Sequence, residues 1–496
     1  MTIIDVLYDH ASKNPDATAV VFENSEWSYS ELYKHSKKVA SYLLEKGYKK
    51  GDIIGQFMLN SDIFLAVYYG AQLAGLTIMP VNTKLAPPEI DYIFNHSEAK
   101  ALFYDEKLSN IIDRTSYIFQ EKINTTEIKE ILEGETTLNR TIDLDENDTA
   151  VVMYTSGTTG KPKGVMLSHK NLYSTAEIWS ESMRMTENDR MYICTPLFHC
   201  AGSHVFAVPM MYKGGAVVVE EAFSPDRTLR KLVETKSTIF FGVPAMYAIL
   251  LNKPEIKNYD FSNLRLFCYG AAPMPYELVK RLKDTFPQVK VQNLYGQTEN
   301  TPAATSLVDE FALNKIGSVG KPLSNTEVQL VDAEGVQVPL GEVGEICVKG
   351  PQVMKGYLRN PEETARTIQN GWLLTGDLGR FDEEGFLYIV DRKKDMIIRG
   401  GENIYPIEIE EVLYQIPQLL ESAVVGVPHE VYGEVPKAYV VLKEGESITG
   451  EEILTYCASQ LAKYKVPYEV EFLEQLPRNA SGKVLKHTLR SEVKMN

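Results

Sequence analysis

Apolar and polar positions alternate with two different periods along the first hundred residues, and this pattern predicts an α/β fold. Residues 18–22 form a short apolar strand pattern, whereas Ser28 and Glu31 form a capping box that predicts the start of a helix. Further strand-like runs occupy residues 52–58 and 77–80, with a helical pattern between them. Strands that alternate with helices favour layered, largely parallel sheets.

The pattern changes after residue 325. Residues 325–390 consist of short β-rich segments separated by glycine and acidic turns, which favours a β-rich subdomain. A compact α+β pattern follows Arg392. Because 496 residues exceed what a single core usually supports, we expect two domains. The predicted architecture is a large N-terminal α/β domain of layered sheets and helices at residues 1–391, which includes the β-rich subdomain, and a small, mobile α+β C-terminal domain at residues 392–496.

The composition indicates a globular protein, with 44% hydrophobic and 24% charged residues. The formal net charge of -16 opposes broad binding to nucleic acid or to an anionic membrane surface. The five cysteines are scattered without metal-ligand spacing, so we expect reduced thiols and a cytoplasmic protein. No apolar run approaches about 20 residues and no leader pattern begins the chain, so no membrane segment is expected.

A glycine- and threonine-rich segment follows the strand predicted at residues 150–154. Its glycines let the backbone approach a ligand closely, while its hydroxyl groups and two lysines suit a polyphosphate. The spacing differs from a Walker A sequence, because Gly157 and Gly160 are too close together and a proline follows Lys161. This phosphate loop comprises Thr155, Ser156, Gly157, Thr158, Thr159, Gly160, Lys161, Pro162, Lys163 and Gly164.

The phosphate loop resembles the signature loop of the adenylate-forming superfamily, which includes acyl-CoA synthetases, firefly luciferase and the adenylation domains of peptide synthetases. Four further motifs resemble that family in the same order along the chain, at residues 294–299, 375–377, 391–395 and 477–483. The resemblance implies an AMP-forming acyl-CoA synthetase. Such an enzyme converts a carboxylic acid and ATP into an acyl-adenylate and pyrophosphate, and then transfers the acyl group to coenzyme A with release of AMP.

The resemblance also implies how the nucleotide is bound. Glu299 is the expected Mg²⁺ ligand, since this cation is commonly held by one or two carboxylates together with substrate phosphates. Thr298 is expected to donate to a phosphate oxygen, and Tyr295 to stack on adenine. Asp377 is expected to accept hydrogen bonds from the ribose hydroxyls, with Arg392 on the other side of the ribose. The predicted nucleotide site further includes Gly270, Ala271, Ala272 and Gly296.

The C-terminal motifs imply a domain that changes orientation between the two half-reactions. Lys483 is expected to bridge the substrate carboxylate and the α-phosphate, which lowers the repulsion between two anions. Lys394 matches the hinge of the family, and Gly400 and Gly401 are expected to line the route of the coenzyme A thiol. The predicted catalytic residues are Lys483, Glu299, Thr155 and His199.

The resemblance implies that four segments line the acyl pocket, and none of them contains arginine or lysine. A buried second carboxylate would therefore lack a cation, which favours a neutral acyl chain over a dicarboxylate. His199 and His204 weaken this inference, because either can protonate. The segments span residues 198–206, 240–247, 268–273 and 296–304. The pocket residues singled out are Phe198, His199, Phe241 and Gly242.

The motifs alone leave several alternatives open. A medium- or long-chain fatty acid is the favoured substrate, with an aryl acid such as 4-coumarate or succinylbenzoate as the alternative. The acyl acceptor is expected to be free coenzyme A, although a carrier protein supplied in trans would need the same adenylate. A luciferase-like oxygenase would share every nucleotide motif, whereas a non-catalytic nucleotide-binding module is disfavoured by the presence of Glu299, Asp377 and Lys483.

Overall fold

The computed structural model describes most of the chain, in two compact units. The described residues are 1–135, 142–155, 161–272, 274–393, 395–399, 402–478 and 484–492. The first unit contains Met1–Val328 and Cys347–Thr375, and the second contains Gln329–Ile346 and Gly376–Asn496. The predicted boundary between residues 391 and 392 stays a prediction.

The α-helices are distributed over both units. In chain order they are α1 (Ile3–Lys13), α2 (Tyr29–Glu45), α3 (Asp62–Leu73), α4 (Pro87–Ser97), α5 (Ser109–Ile112), α6 (Thr125–Glu133), α7 (His169–Ser182), α8 (Val208–Tyr212), α9 (Pro225–Glu234), α10 (Pro244–Leu251), α11 (Tyr276–Thr285), α12 (Pro361–Thr367), α13 (Pro406–Leu413), α14 (Gly450–Gln460) and α15 (Lys486–Glu492). A π-helix spans Ala201–Ala207, and a short 3-10 turn spans Thr298–Asn300. No helix within the described ranges has both the length and the apolar content needed to cross a membrane.

The β-strands outnumber the helices and are mostly short. In chain order they are β1 (Thr18–Phe22), β2 (Ser25–Ser28), β3 (Ile53–Phe57), β4 (Thr77–Pro80), β5 (Ala101–Tyr104), β6 (Glu121–Asn124), β7 (Thr149–Thr155), β8 (Lys163–Ser168), β9 (Arg190–Ile193), β10 (Ala216–Val219), β11 (Ile239–Phe241), β12 (Leu266–Gly270), β13 (Lys290–Tyr295), β14 (Thr305–Leu307), β15 (Ser318–Pro322), β16 (Glu327–Val331), β17 (Gly344–Lys349), β18 (Gly356–Tyr357), β19 (Ile368–Gln369), β20 (Trp372–Phe381), β21 (Leu387–Arg392), β22 (Ile397–Arg399), β23 (Glu402–Ile404), β24 (Leu419–His429), β25 (Gly433–Leu442) and β26 (Glu469–Phe472).

One sheet of the first unit runs in the order β18–β8–β7–β4–β3–β5–β6. Strands β6, β5, β3, β4 and β7 are parallel, whereas β8 and β18 are antiparallel to their neighbours. Thr155 ends β7 and lies opposite Lys163, which begins β8. The phosphate loop therefore lies between two antiparallel strands, and a strand rather than a helix follows it.

The second sheet of the first unit runs in the order β15–β14–β13–β12–β11–β9–β10–β1–β2. Strands from β13 to β1 are parallel, and antiparallel strands lie at both ends. Strands β10 and β12 are buried at every residue, as expected for parallel strands covered on both faces. The carboxyl ends of β9, β11, β12 and β13 meet at one edge of this sheet, where α/β proteins usually bind ligands.

The second unit contains a sheet with the strand order β23–β22–β25–β24, with β26 beside β25. Helices α13 and α14 pack on one face, through Ile409, Ile453 and Cys457. Leu489 of α15 packs on the other face, against Val425. The structure thus confirms the predicted mixed α/β architecture, with a large N-terminal part and a smaller α+β part.

Candidate active site

The two ends of the phosphate loop are fixed by helix α4. The Tyr154 hydroxyl lies 2.7 Å from Nδ1 of His96, and the Tyr92 hydroxyl donates to the Pro162 carbonyl at 3.3 Å. The Lys161 ammonium lies 5.8 Å from the centre of the Tyr92 ring. The stem of the loop, residues 154–155 and 161–163, is therefore held on both sides by contacts with helix α4. Outside the described residues lie Ser156, Gly157, Thr158, Thr159 and Gly160.

Glu299 lies beside the loop stem because Tyr357 bridges the two. The Tyr357 hydroxyl donates to Glu299 Oε1 at 3.0 Å, and its ring centre lies 5.0 Å from the ammonium of Lys163. Burial and the nearby Glu299 carboxylate raise the pKa of Tyr357, so the phenol remains a donor. Lys163, predicted as a phosphate ligand, forms an ion pair with Glu363.

The segment that carries Glu299 is held in a strained conformation. Thr301 has a φ of 58°, in the left-handed region that β-branched residues rarely adopt. Its hydroxyl donates to the Gln352 carbonyl at 2.6 Å, and the Gln352 side chain donates to the Ala303 carbonyl at 3.0 Å. Asn300 accepts a hydrogen bond from the Gln297 backbone N–H at 2.8 Å. These contacts fix the backbone on both sides of Glu299.

His199 and Thr298 are connected by a thiol. Cys200 Sγ lies 3.3 Å from the Thr298 hydroxyl and 3.8 Å from His199 Nδ1. Burial raises the pKa of Cys200, but the charge of His199 and hydrogen bonds from His199 and Thr298 outweigh it, so the pKa is lowered overall. The predicted acyl-pocket histidine and the predicted phosphate-binding threonine therefore share one neighbour.

Two glycines of the predicted nucleotide site are required by neighbouring backbone. A Cβ on Gly270 would lie 2.5 Å from the Leu294 carbonyl oxygen, and a Cβ on Gly296 would lie 2.3 Å from the Pro302 carbonyl oxygen. The sequence analysis included Gly270 in the predicted nucleotide site. The structure gives a reason for this glycine, since the adjacent strand leaves no room for a side chain.

The predicted adenine-binding residues lie at the carboxyl ends of β12 and β13. Ala271 has a φ of 65°, a left-handed conformation that is uncommon for a residue with a Cβ. Ala271 and Ala272 are exposed, and Tyr295 is buried at the end of its strand. Backbone strain persists only where the surrounding structure maintains it, and it clusters at functional sites. The strain at Ala271, whose side chain is apolar, therefore supports a functional role of its backbone.

Three of the four predicted pocket segments contact one another. The rings of Phe206 and Phe241 lie 4.7 Å apart, and the Gly242 N–H donates to the Cys268 carbonyl at 3.1 Å. The fourth segment, residues 296–304, joins them through the contact between Cys200 and Thr298. The four segments are therefore in contact within the first unit, and their role as the acyl pocket stays a prediction.

The π-helix Ala201–Ala207 places a neutral histidine in this region. His204 is fully buried, and its Nε2 lies 3.0 Å from the Tyr68 hydroxyl. Burial lowers the pKa of His204 to about 3, so it carries no charge near neutral pH. A Cβ on Gly202 would lie 2.4 Å from the Pro196 carbonyl oxygen, which explains the glycine in this helix.

Asn60 fixes the chain that leads to Phe198 and His199. Its side-chain oxygen accepts from the Leu197 N–H at 2.7 Å, and its amide donates to the Thr195 carbonyl at 2.9 Å. Phe198 is partly buried and packs against the core of the first unit. Asn60 follows strand β3 and belongs to no motif, so the sequence analysis missed it.

Asp377 and Arg392 lie opposite each other on β20 and β21 of the second unit. The Asp377 Oδ1 lies 3.3 Å from Arg392 Nε, and Asp377 is only 6% exposed. The two predicted ribose contacts are thus paired with each other, and Arg392 orients the carboxylate. The predicted hinge residue Lys394 and the predicted coenzyme A residues Gly400 and Gly401 lie outside the described residues.

Lys483 also lies outside the described residues, but both ends of its loop are described. Arg478 and Val484 form an antiparallel bridge that closes the loop. Helix α15 begins immediately afterwards, and Lys486 forms an ion pair with Glu410 at 2.8 Å. The base of the predicted catalytic loop is therefore anchored to the C-terminal sheet and helices.

Comparison with known proteins supports this arrangement. The family described as AMP-binding enzyme matches residues 7–358, and the AMP-binding enzyme C-terminal domain matches residues 408–483. The chain belongs to the AMP-binding enzyme family. It is 37% identical to a feruloyl-CoA synthase of Amycolatopsis over 97% of this chain and 96% of that protein. It is 34% identical to a long-chain-fatty-acid–CoA ligase of Mycobacterium tuberculosis, over 98% and 97% of the two chains.

A solved structure from the AMP-binding enzyme family has the same fold. The o-succinylbenzoate CoA synthetase of Bacillus subtilis, in complex with its acyl-adenylate intermediate, is 34% identical and superposes with a TM-score of 0.88. The matched regions cover 98% of this chain and 97% of that chain. The prediction of an AMP-forming acyl-CoA synthetase is confirmed, and the protein is an acid–thiol ligase.

The structure adds residues that the motifs did not indicate. Tyr357 contacts Glu299, Glu363 pairs with Lys163, and Cys200 contacts Thr298. Tyr357 and Glu363 lie in segments without a predicted site residue. Cys200 lies next to His199, which was predicted as a catalytic and acyl-pocket residue. Cys200 is indicated only by its position after His199, whereas Tyr357 and Glu363 have no signal in the sequence.

Proposed function

We propose that this AMP-binding enzyme activates a carboxylic acid with an uncharged, largely apolar chain and transfers it to coenzyme A. The observation that carries the proposal is a continuous chain of contacts from the phosphate loop to the acyl pocket within the first unit. It comprises Lys163, Tyr357, Glu299, Thr298, Cys200 and His199. Such continuity supports a site in which phosphate-binding groups lie next to the bound acid.

The chemistry needs positioned cations and donors more than a protein nucleophile. A carboxylate oxygen of the acid attacks the α-phosphorus of ATP, the bond to the β-phosphate oxygen breaks, and pyrophosphate leaves. The coenzyme A thiol then attacks the acyl carbonyl, the bond to AMP breaks, and the thiol proton is lost to solvent. Among the described side chains, Lys161 and Lys163 at the ends of the phosphate loop and the Thr298 hydroxyl next to Glu299 favour negative charge.

Glu299 fits a Mg²⁺ ion that arrives with ATP. No cluster of three or more histidine, cysteine, aspartate or glutamate side chains within the described ranges could hold a metal ion without substrate. A single carboxylate beside a phosphate loop matches the preference of Mg²⁺ for one or two carboxylates plus phosphate oxygens. Bound there, the ion would neutralise charge on the phosphates.

The second unit supplies the remaining groups of the proposal. Asp377, oriented by Arg392, accepts hydrogen bonds from the ribose hydroxyls. Lys483 bridges the acid and the α-phosphate during adenylation. Lys394 acts as the hinge, and Gly400 and Gly401 line the thiol route. These roles rest on the family motifs and on the anchored base of the Lys483 loop.

A medium- or long-chain fatty acid is the proposed substrate. The pocket segments contain no arginine or lysine, and His204 is neutral because burial lowers its pKa to about 3. A second carboxylate would therefore be buried without a cation, and its desolvation would cost roughly several kcal/mol. This argument disfavours dicarboxylic acids.

An aryl acid is the second candidate. The ring pair of Phe206 and Phe241, next to Gly242, offers an aromatic wall for a flat substrate. The similarity to a feruloyl-CoA synthase points in the same direction, whereas the similarity to 2-succinylbenzoate–CoA ligases of Bacillus points to an aryl acid with a second carboxylate. The two candidates differ in the length and flexibility of the acid that fills the pocket.

A panel of acids tests the proposed function. Decanoate, palmitate, ferulate, 2-succinylbenzoate and malonate are each incubated with ATP, Mg²⁺ and coenzyme A, and pyrophosphate and thioester are measured. We expect pyrophosphate and thioester in equal amounts with decanoate, palmitate or ferulate, and neither product with the dicarboxylic acids malonate and 2-succinylbenzoate. If pyrophosphate forms without a coenzyme A thioester, and a thioester forms once a phosphopantetheinyl carrier protein is added, the protein is instead a carrier-loading enzyme. Either dicarboxylic acid as the best substrate would refute the neutral pocket.

The Lys483→Ala variant tests the catalytic lysine, with Lys463→Ala as an exposed control in the same unit. We expect Lys483→Ala to slow adenylation by about 100-fold or more, since it removes a charge that acts on the transition state. Thioester formation from a supplied acyl-adenylate should remain within about twofold of the parent enzyme, because that step does not join two anions. Equal loss in both half-reactions would refute the assignment.

A further inference from the structure

Tyr357 occupies a two-residue strand that is fixed on both sides. Strand β18 pairs with β8, so that Tyr357 lies opposite Val165, two residues beyond Lys163. The backbone N–H of Tyr357 donates to the Thr364 hydroxyl at 2.8 Å. Tyr357 is 6% exposed. Neither the backbone nor the ring can therefore move without disturbing the stem of the phosphate loop.

The residue before Tyr357 shows how closely this segment is packed. Gly356 has a φ of 141°, and a Cβ at this position would lie 2.5 Å from the Thr364 side chain. The backbone N–H of Met354 donates to the Glu299 carbonyl at 2.9 Å, and that of Leu358 donates to the Gly164 carbonyl at 2.7 Å. One short segment thus holds the backbone of Glu299 and the backbone of the phosphate loop together.

The side chain of Tyr357 acts on the same two elements. Its hydroxyl donates to one carboxylate oxygen of Glu299 at 3.0 Å, and its ring face lies 5.0 Å from the ammonium of Lys163. The ion pair with Glu363 holds Lys163 over the ring. A carboxylate with one oxygen fixed by a phenol presents its other oxygen in a defined direction, which is what an ordered cation site requires.

We propose that Tyr357 is a positioning residue that fixes the Glu299 carboxylate relative to Lys163 and thereby sets the Mg²⁺ dependence of nucleotide binding. It reaches neither the acid nor the nucleotide in this role and acts through its two neighbours. The inference rests on the proposed function, since it takes Glu299 as the group that meets the cation. It adds a residue that lies outside all five recognised motifs.

The Tyr357→Phe variant removes the hydroxyl and keeps the ring beside Lys163. Binding of a non-hydrolysable ATP analogue is measured by isothermal titration calorimetry over a series of Mg²⁺ concentrations. We expect the Mg²⁺ concentration for half-maximal binding to rise about tenfold, since loss of a partner that orients a metal ligand typically lowers metal affinity by 10–100-fold. Affinity without Mg²⁺ and the KM for the acid should stay within about twofold of the parent values, because neither involves the hydroxyl.

A second tyrosine in the same unit provides a matched control. The Tyr42 hydroxyl donates to Glu121 at 2.7 Å, and the ammonium of Lys46 lies 5.0 Å from its ring and pairs with the same glutamate. This triad has the same two contacts as the Tyr357 site, a phenol donating to a carboxylate and an ammonium over the ring. It lies outside every segment assigned to the active site. Tyr42→Phe should leave the Mg²⁺ dependence unchanged.

The Glu299→Gln variant separates failure of this inference from failure of the proposed function. If Glu299→Gln keeps the Mg²⁺ dependence of the parent enzyme, Glu299 does not meet the cation and the proposed metal role is wrong. If Glu299→Gln loses the dependence while Tyr357→Phe titrates like the parent, only the positioning role is overturned. Equal weakening of analogue binding by Tyr357→Phe with and without Mg²⁺ also overturns it, since this would indicate general loss of structure.

Discussion

A single methyl group at residue 296 should impair nucleotide binding strongly. In the Gly296→Ala variant the new Cβ would lie 2.3 Å from the carbonyl oxygen of Pro302, 2.4 Å from its carbonyl carbon and 2.8 Å from the nitrogen of Ala303. All three obstacles are backbone atoms, so no change of side-chain rotamer can relieve the contact. The segment that follows Tyr295 must therefore move.

The size of this displacement follows from ordinary contact distances. Nonbonded heavy atoms lie at about 3.5 Å, so the two backbone segments must separate by about 1 Å. Overpacking of this kind typically costs about 1–3 kcal/mol of folding free energy. The same movement displaces Glu299 and Thr298, and a misplacement of about 1 Å in an active site can lower the rate by about 100-fold.

Pyrophosphate release at varied ATP and urea unfolding check both effects. We expect kcat/KM for ATP to fall by about 100-fold and the free energy of unfolding by about 1–3 kcal/mol. Gly134→Ala is the control, because its nearest atoms are backbone oxygens at an ordinary 3.5 Å. A Gly296→Ala enzyme with the parent kcat/KM for ATP would refute the reasoning.

Three further predictions concern charge. Asp377→Asn should raise the KM for ATP by about 10–100-fold in a pyrophosphate assay, since a hydrogen bond to a charged group contributes about 1.5–3 kcal/mol; an unchanged KM would exclude Asp377 from the ribose site. His204 has its pKa lowered to about 3 by burial, so the unfolded chain binds the proton first. The contribution of His204 to the free energy of unfolding should therefore fall by about 1.4 kcal/mol per pH unit below about 6.5, as the difference between the parent and His204→Phe in urea unfolding measures. An equal loss of stability in His204→Phe would contradict this. Asp189→Ala should lower the free energy of unfolding by about 2 kcal/mol, because it breaks a partly exposed pair with Arg265 at 2.7 Å; no change in the urea midpoint would show that the pair contributes nothing.

The elements with short-range signals were predictable from the sequence. The capping box at Ser28 and Glu31 forms as expected, and the helix begins at Tyr29. The apolar run at residues 77–80 is a buried strand. These signals succeed because a cap or an apolar run depends on a few neighbouring residues.

The π-helix Ala201–Ala207 was not predicted, for a physical reason. Every residue in it except Ala201 is buried, so the sequence shows no polar face from which a helical period could be recognised. Strand β8 was also missed, because the glycine-rich phosphate loop before it gives no sign of whether a strand or a helix follows.

The contacts that complete the site join segments far apart in the chain. Tyr357 and Glu299 are separated by 58 residues, and Lys163 and Glu363 by 200. Motifs report which residues share a function, whereas such pairs are set by the packing of the whole unit. Lys163 was therefore predicted as a phosphate ligand without its acidic partner.

The most direct test of the central claim follows an oxygen atom. The acid that reacts best is labelled with ¹⁸O in both carboxylate oxygens and converted to thioester with ATP, Mg²⁺ and coenzyme A, and the products are analysed by mass spectrometry. An acyl-adenylate requires that the carboxylate oxygen attack the α-phosphorus, so we expect one ¹⁸O in AMP and none in pyrophosphate. Unlabelled AMP, or label in inorganic phosphate released with ADP, would contradict the account.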